Sequence, residues 1–205
     1  MTVKRNIPTL RFPGFEGEWE GKALEDISER QIKKNKSNQY SDVFTNSATQ
    51  GVVRQNEYFD KDIANQENLD GYYIIHKDDF VYNPRISVNA PVGPIKRNHI
   101  GTGVMSPLYT VFRFRNVNLD FIELYFETTI WHKYMKSIAN YGARHDRMNI
   151  TNDDLLNMPI MIPSGEEQQK IASFLTSIDK KIELVNIQLE KTKAWKKGLL
   201  QKMFV

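Results

Sequence analysis

Apolar residues in the C-terminal part of the chain recur in alternating steps of four and three residues. This spacing is the a/d seam of a heptad repeat, which packs one helix against another. Thr192 interrupts the seam, and the apolar stripe then resumes with a shift that is typical of a stutter in a coiled coil. The predicted pairing residues are Ile171, Leu175, Ile178, Ile182, Val185, Leu189, Trp195 and Leu199.

Three residues mark the start of this predicted helix. Pro163 ends the preceding strand-like run, Ser164 can act as an N-cap, and Glu167 completes a Ser-x-x-Glu capping box. A helix of roughly 35 residues would be about 50 Å long at a rise of 1.5 Å per residue. Charged residues, most of them lysines, occupy its other faces and should be exposed to solvent.

A helix of this length with one narrow apolar stripe needs a partner helix. One alternative is a hairpin in which the helix folds back on its own domain. No upstream segment has a matching heptad run, so we favour a partner from another chain. Pairing of two copies would give a dimer with two-fold symmetry, the commonest arrangement of homo-oligomers.

The segment that precedes the long helix has a mixed pattern of strands and helices. A short helix is predicted around Leu24 and Ile27, an amphipathic helix begins at the cap Asn118, and another short helix begins at Thr151. Runs of β-branched and aromatic residues between turn formers predict strands at 51–55, 71–76, 79–83 and 108–115.

These elements predict an α+β fold of two parts. A globular mixed domain should span residues 1–163, and the long helix should span residues 164–205. We see no internal repeat and no low-complexity linker in the chain. The junction between the two parts should therefore be abrupt.

The amino-acid composition excludes several classes of function but does not identify a single one. The chain of 205 residues has no Cys, and its four His are widely spaced, so we expect neither disulfides nor a bound metal. No signal sequence and no apolar run of about 18 residues is present, and we expect a cytoplasmic protein. The net charge of +3 is compatible with an anionic partner such as DNA.

Motifs for catalysis or for cofactor binding are missing. The sequence Asn83-Pro84-Arg85 matches only part of the Asn-Pro-Pro-aromatic motif of amino-methyltransferases, and no Gly-rich turn for a cofactor precedes it. We therefore expect a binding protein that has no catalytic site of its own.

Basic and amide residues cluster in segments that the pattern assigns to loops or to strand ends. Lys and Arg can neutralise phosphates, and Arg and Asn can form paired hydrogen bonds with guanine and adenine edges in the major groove. Exposed polar loops of most soluble proteins have a similar composition. The candidate DNA-binding residues are Lys33, Lys34, Lys36, Asn46, Tyr82, Asn83, Arg85, Lys96, Arg97, Asn98, Arg144, His145 and Arg147.

The two ends of the chain together resemble a known family. The opening IPTLRFPGFEGEWEGKALEDI and the closing IMIPSGEEQQKIASFLTSIDKKIELVNIQLEKTKAWKKGLLQKMF are similar to the ends of one repeat in the DNA-specificity subunits of type I restriction-modification enzymes. Between them, DDFVYNPR and GTGVMSPLYTVFR resemble parts of the target-recognition domains of these subunits. The usual family member has two such domains and two long helices, whereas this chain has one of each.

The resemblance implies a specific role for each part. The globular domain would read one half of a split DNA site, and the long helix would pair with a counterpart to set the distance between two half-sites. The pair would also bind modification subunits, which methylate adenine at N6 with S-adenosylmethionine, and restriction subunits would join with ATP and Mg²⁺. These cofactors would belong to the partner subunits. The partner helix would come from a second copy or from a homologous half-subunit.

Two alternatives to this interpretation stay open. The chain could be a coiled-coil adaptor or decoy that binds modification subunits without reading DNA. It could also be one repeat of a longer protein or the product of a split gene, in which case its partner half would carry the other half of the specificity.

Overall fold

We describe the protein from a computed structural model, which covers residues 6–58, 69–140 and 146–204. The fold is α+β, as the sequence predicts, and the described residues form three small sheets, five short α-helices and one long C-terminal helix. The strands are β1 (Glu20–Ala23), β2 (Ser28–Arg30), β3 (Val43–Ser47), β4 (Gly51–Arg54), β5 (Tyr73–Ile75), β6 (Phe80–Tyr82), β7 (Ile95–Arg97), β8 (Gly103–Met105), β9 (Thr110–Phe114) and β10 (Pro159–Ile162). The helices are α1 (Leu24–Ile27), α2 (Gln55–Tyr58), α3 (Leu119–Glu127), α4 (His132–Ile138), α5 (Asn152–Leu156) and α6 (Gly165–Met203).

The central sheet is antiparallel, has the order β2-β9-β6-β7 and is buried on both faces. Successive side chains of a strand point to opposite faces, so Phe80 and Phe112 lie on one face while Val81 and Val111 lie on the other. The first pair packs with the helices in the larger core. The second pair packs against the neighbouring sheet in a smaller core. The central sheet thus holds the two cores together.

The second sheet is mixed and has the order β4-β3-β8-β5. Strands β3 and β8 are parallel, whereas the β3–β4 and β5–β8 pairs are antiparallel. The side chains that this sheet contributes to the smaller core are those of Phe44, Val52, Ile75 and Met105. The loop residues that precede and follow these short strands carry several of the predicted DNA-binding side chains.

The third sheet contains only β1 and β10, which pair in antiparallel register immediately before α6 begins. Ser164 caps α6 by accepting a hydrogen bond from the backbone N–H of Glu167 at 3.3 Å. The guanidinium of Arg11 forms a bidentate ion pair with the buried Glu167 carboxylate, with N···O distances of 2.8 and 2.7 Å. The N-terminal segment therefore holds the first turn of the long helix against the domain.

The predicted helix that begins at Asn118 is in fact two helices. Asn118 caps α3 as expected, with its side chain accepting from the Phe121 N–H at 2.9 Å. The helix ends at Thr128, whose backbone is extended and whose hydroxyl donates to the Tyr125 carbonyl oxygen at 2.7 Å. A hydroxyl that bonds to the backbone competes with helix continuation. The Trp131 ring of the following turn is then buried against Phe126 before α4 starts.

Candidate DNA interface and pairing helix

The lysines of the first basic segment are exposed and lie beside the second sheet. The backbone of this segment is fixed because the Ile74 N–H donates to the Lys33 carbonyl oxygen at 2.8 Å, and Lys34 forms a bridge with Tyr73. The buried side chain of Asn35 bonds to the Tyr40 backbone and anchors the turn that follows. The side chains of Lys33, Lys34 and Lys36 project into solvent.

Asn46 and Tyr82 are buried and are hydrogen-bonded inside the domain. The Asn46 side chain donates to the carbonyl oxygens of Val81, at 2.7 Å, and Pro94, at 3.3 Å. The Tyr82 hydroxyl donates to the Val92 carbonyl oxygen at 3.1 Å, and burial raises the pKa of this phenol. These two side chains position the ends of β3 and β6 and are not available to a ligand at the surface.

Arg97 and Asn98 also have their polar groups engaged within the protein. The Arg97 guanidinium bonds to Asp78 at 2.6 Å and to Asp120 at 2.7 Å, and its side chain is 12 % exposed. Burial lowers the pKa of Arg97, but the bonds to Asp120 and Asp78 outweigh this effect and raise the pKa overall. Asn98 is fully buried and bonds to the backbone of His76, Ile100 and Gly101. Lys96, before them, is half-buried.

Asn83 and Arg85 lie in the loop that follows β6. The Asn83 amide donates to the Asn46 carbonyl oxygen at 2.9 Å, and its side-chain oxygen accepts from the Arg85 N–H at 3.0 Å. Gly93 has a φ of +79°, and a Cβ at this position would collide with the Asn83 carbonyl oxygen. The close approach of these two backbones holds Asn83 in place and leaves the Arg85 side chain 61 % exposed.

The structure brings Arg85 and Arg147 together, although 62 positions separate them in the chain. Their backbones form an antiparallel bridge, and the Met148 N–H donates to the Pro84 carbonyl oxygen at 2.9 Å. Asp146 lies between the two guanidinium groups, at 3.7 Å from Arg85 and 3.9 Å from Arg147. The predicted residues Arg144 and His145 lie outside the described residues.

Sequence reasoning missed Arg30, the last residue of β2. Its side chain faces a cleft with a volume of about 440 Å³, which Arg147 also lines. Arg30 follows a Glu in a segment whose pattern indicates a loop or a loop-flanked strand, and nothing local distinguishes it from a surface arginine. Only the pairing of β2 with β9, which joins segments more than 80 residues apart, places it there.

The long helix leaves its domain after about two turns. Glu167, Gln168 and Ala172 are buried in the junction, and Ile171 packs on the edge of the larger core. From Leu175 onward, α6 makes no further contact with a buried core. The exposed seam residues are Leu175 (37 %), Ile178 (40 %), Ile182 (54 %), Val185 (59 %), Leu189 (48 %), Trp195 (68 %) and Leu199 (37 %).

The described residues provide no arrangement for metal chemistry. Among them, no group of three or more His, Asp or Glu is placed to hold a metal ion. Also within the described ranges, no helix combines the length and the apolar content that are needed to cross a membrane.

Solved structures with a similar fold are specificity subunits. The HsdS subunit from Thermoanaerobacter tengcongensis matches with a TM-score of 0.60 and 15 % identity, over 87 % of this chain and 45 % of that chain. The S subunit of the type I restriction-modification system from M. genitalium matches with a TM-score of 0.52 and 12 % identity, over 90 % and 44 %. At these identities the likeness concerns the fold alone.

Sequence comparison gives the family. The HindI type I restriction enzyme specificity subunit from Haemophilus influenzae is 31 % identical over 184 residues, which are 85 % of this chain and 38 % of that protein. The chain thus spans less than half the length of each of these relatives. The model of the type I restriction modification DNA specificity domain matches residues 16–193. This match covers most of the sequence, and the chain belongs to the family of type I restriction-modification DNA specificity domains.

Proposed function

We propose that this chain is a non-catalytic DNA-specificity half-subunit, which reads one half of a bipartite DNA site and pairs through its long helix with a second copy. One observation carries the proposal: a chain of the specificity family ends in a long helix whose apolar residues are exposed along most of its length. An exposed apolar stripe of this extent marks a surface for a partner.

The exposed cations form the DNA-binding part of the proposal. Arg85 and Arg147 lie side by side, and Lys33, Lys34 and Lys36 extend into solvent from the segment beside β5. Long cationic side chains with solvent-accessible ends can contact phosphates and base edges. Asn46 and Tyr82 are buried and would act indirectly, by fixing the end of β6 before the loop that carries Arg85. Arg97 and Asn98 would stabilise the domain through the bonds described above.

The length of α6 supports its role as a spacer. Its 39 residues span about 58 Å at 1.5 Å per residue. Antiparallel pairing of two copies would place one recognition domain at each end of the helix pair. The two domains would then be related by a two-fold axis, and the DNA site would be an interrupted palindrome. Pairing with a homologous half-subunit would instead give an asymmetric site.

The partners in this proposal supply the chemistry. Modification subunits would bind S-adenosylmethionine and methylate adenine, and restriction subunits would use ATP and Mg²⁺. This chain would determine which DNA sequence is bound and how far apart its two half-sites lie. The alternative, an adaptor or decoy that binds modification subunits without reading DNA, shares the helix but requires no basic surface.

Selection from a pool of random DNA duplexes tests the proposal. The chain assembled with its modification subunits should enrich one bipartite sequence, and the affinity should fall steeply as salt increases because several phosphates are contacted. A complex that assembles but enriches no sequence would support the decoy instead. A variant whose long helix cannot pair, and which therefore assembles no complex, gives the background level of enrichment.

A further inference from the structure

A cleft opens where β6 ends and β9 begins, beside residues 147–152. Two arginines from distant parts of the chain line it, Arg30 from β2 and Arg147 from the segment before α5. Leu108 and Met148 give it apolar walls, and Asn149 and Asn152 add amide groups. Among the described residues that line it, none is Asp or Glu. Its volume of about 440 Å³ is within the range of small-ligand sites.

Within residues 6–58, 69–140 and 146–204, no carboxylate forms an ion pair with Arg30. Its Nε is buried and has no hydrogen-bond acceptor among these residues. By contrast, the guanidinium groups of Arg11, Arg97 and Arg113 each bond to at least one carboxylate. A guanidinium is always charged, and an N–H that is buried without an acceptor is unfavourable. The cleft therefore presents a cation that lacks an anion.

Arg147 adds a second cation at the same cleft. Its guanidinium lies 3.9 Å from Asp146, at the limit of an ion pair, and Asp146 is shared with Arg85. The other polar groups of the cleft are partly engaged, because the Thr110 hydroxyl donates to the Asn152 side-chain oxygen at 3.2 Å and the Tyr109 hydroxyl bonds to Thr45 at 2.9 Å. The two arginines are thus the charged groups of the cleft that can receive an anion.

We propose that this cleft binds one backbone phosphate of DNA, with Arg30 as its main ligand and Arg147 as the second. The planar fork of a guanidinium matches a phosphate with two parallel hydrogen bonds, and the apolar walls fit the adjoining deoxyribose. This inference rests on the proposed function, because it takes DNA as the source of the phosphate. It adds to the interface a residue that the sequence does not single out.

The test compares Arg30→Gln with the matched control Arg115→Gln in the complete chain assembled with modification subunits. Arg115 follows β9 at the end opposite to the cleft and is 55 % exposed. Its guanidinium lies 3.6 Å from Glu29 and donates to the Ser28 carbonyl oxygen at 3.3 Å. The probes are the selected target duplex and a short duplex of unrelated sequence. Binding to both is measured as salt is increased.

Arg30→Gln should weaken binding to both duplexes by about tenfold or more at low salt, and it should reduce the salt slope by about one. Arg115→Gln should bind as the unmodified chain does. Arg30→Lys keeps the charge without the fork, so it should show a smaller loss with an unchanged slope. These three results together would support a phosphate site.

Two outcomes would overturn the inference. Equal binding by Arg30→Gln and the unmodified chain would mean that the cleft holds no part of the DNA. A loss on the target duplex alone, with an unchanged salt slope, would assign Arg30 to a base edge and not to a phosphate. If the unmodified complex prefers no sequence, the proposed function fails. Weaker binding of Arg30→Gln to the unrelated duplex would still support the cleft.

Discussion

Arginine side chains in the basic segments of this protein have two different environments. Arg97 is enclosed by Asp78, Asp120 and Glu123, whereas Arg85 and Arg147 share a single Asp146 at long distances. A guanidinium surrounded by carboxylates is a structural ion pair, because a phosphate would have to displace several anions. A guanidinium with one distant partner can exchange it for a phosphate.

These environments lead to opposite effects of substitution. Arg147→Ala should weaken DNA binding of the assembled complex and leave the melting temperature of the chain nearly unchanged. Arg97→Ala should lower the stability by about 1–3 kcal/mol, since Asp78 and Asp120 would lose their partner. Thermal unfolding and DNA titration of both variants check this, and equal DNA affinity of Arg147→Ala and the unmodified chain would remove Arg147 from the interface.

Buried tyrosines should make the free energy of unfolding depend on pH in the alkaline range. Burial raises the pKa of Tyr125 from 10.0 to about 12. Between these values, the unfolded chain loses the phenol proton and the folded chain keeps it, so stability falls as pH rises from about 10 to about 12. Tyr125→Phe should lose less stability over this interval in denaturant unfolding. An identical pH dependence in both proteins would mean that Tyr125 titrates normally in the folded state.

At the scale of elements, the exposed seam of α6 makes a clear prediction about oligomeric state. Ile178→Asp combined with Ile182→Asp should convert a dimer into a monomer, because each change places a charge in the predicted helix–helix contact. Light scattering measures the mass, and circular dichroism checks that the domain stays folded.

The matched control places two aspartates on another face of the same helix. Lys180→Asp combined with Lys191→Asp changes the charge more strongly at exposed positions, yet it should leave the dimer intact. If the isoleucine variant stays dimeric, the predicted register of the seam is wrong. If both variants dissociate, charge and not the apolar seam controls the pairing.

Elements whose signals are local follow from the sequence. Ser164, Asn118 and Thr151 all cap helices as predicted, because a cap needs only a side chain and an N–H three residues later. The break at Thr128 was missed, since a continuous apolar face outweighed the β-branched residues that end the helix there. From Leu175 onward every large apolar side chain of α6 is exposed, including Leu184 and Ile187 outside the seam, so the heptad register stays a prediction.

Contacts between distant segments could not be derived in this way. Arg97 looks like any basic residue until the fold brings it to Asp120 and Glu123, which lie in α3. Arg30 and Arg147 are 117 positions apart and share a cleft only because β2 pairs with β9. The composition of a segment therefore indicates a basic surface. Only the fold shows which cations are exposed to solvent and which are bound to carboxylates of the domain.

At the scale of the whole molecule, the proposed function makes one domain and one helix half of a bipartite reader. The domain belongs to the DNA specificity family, and the chain spans less than half of its longer relatives. Two copies joined through α6 would restore two domains and two helices. The Arg11–Glu167 ion pair and the Ser164 cap fix the helix to the domain, so the distance between two half-sites would be set by the helix pair.

Mapping of N6-methyladenine tests this account most directly. The chain is expressed with its modification subunit in a host that has no other type I system, and the genome is sequenced by a method that detects the methylated base. We expect methylation at one interrupted palindrome, because two identical domains would be related by two-fold symmetry. A genome without a methylated motif, or with an asymmetric one, would contradict the account of a self-sufficient, symmetric specificity half-subunit.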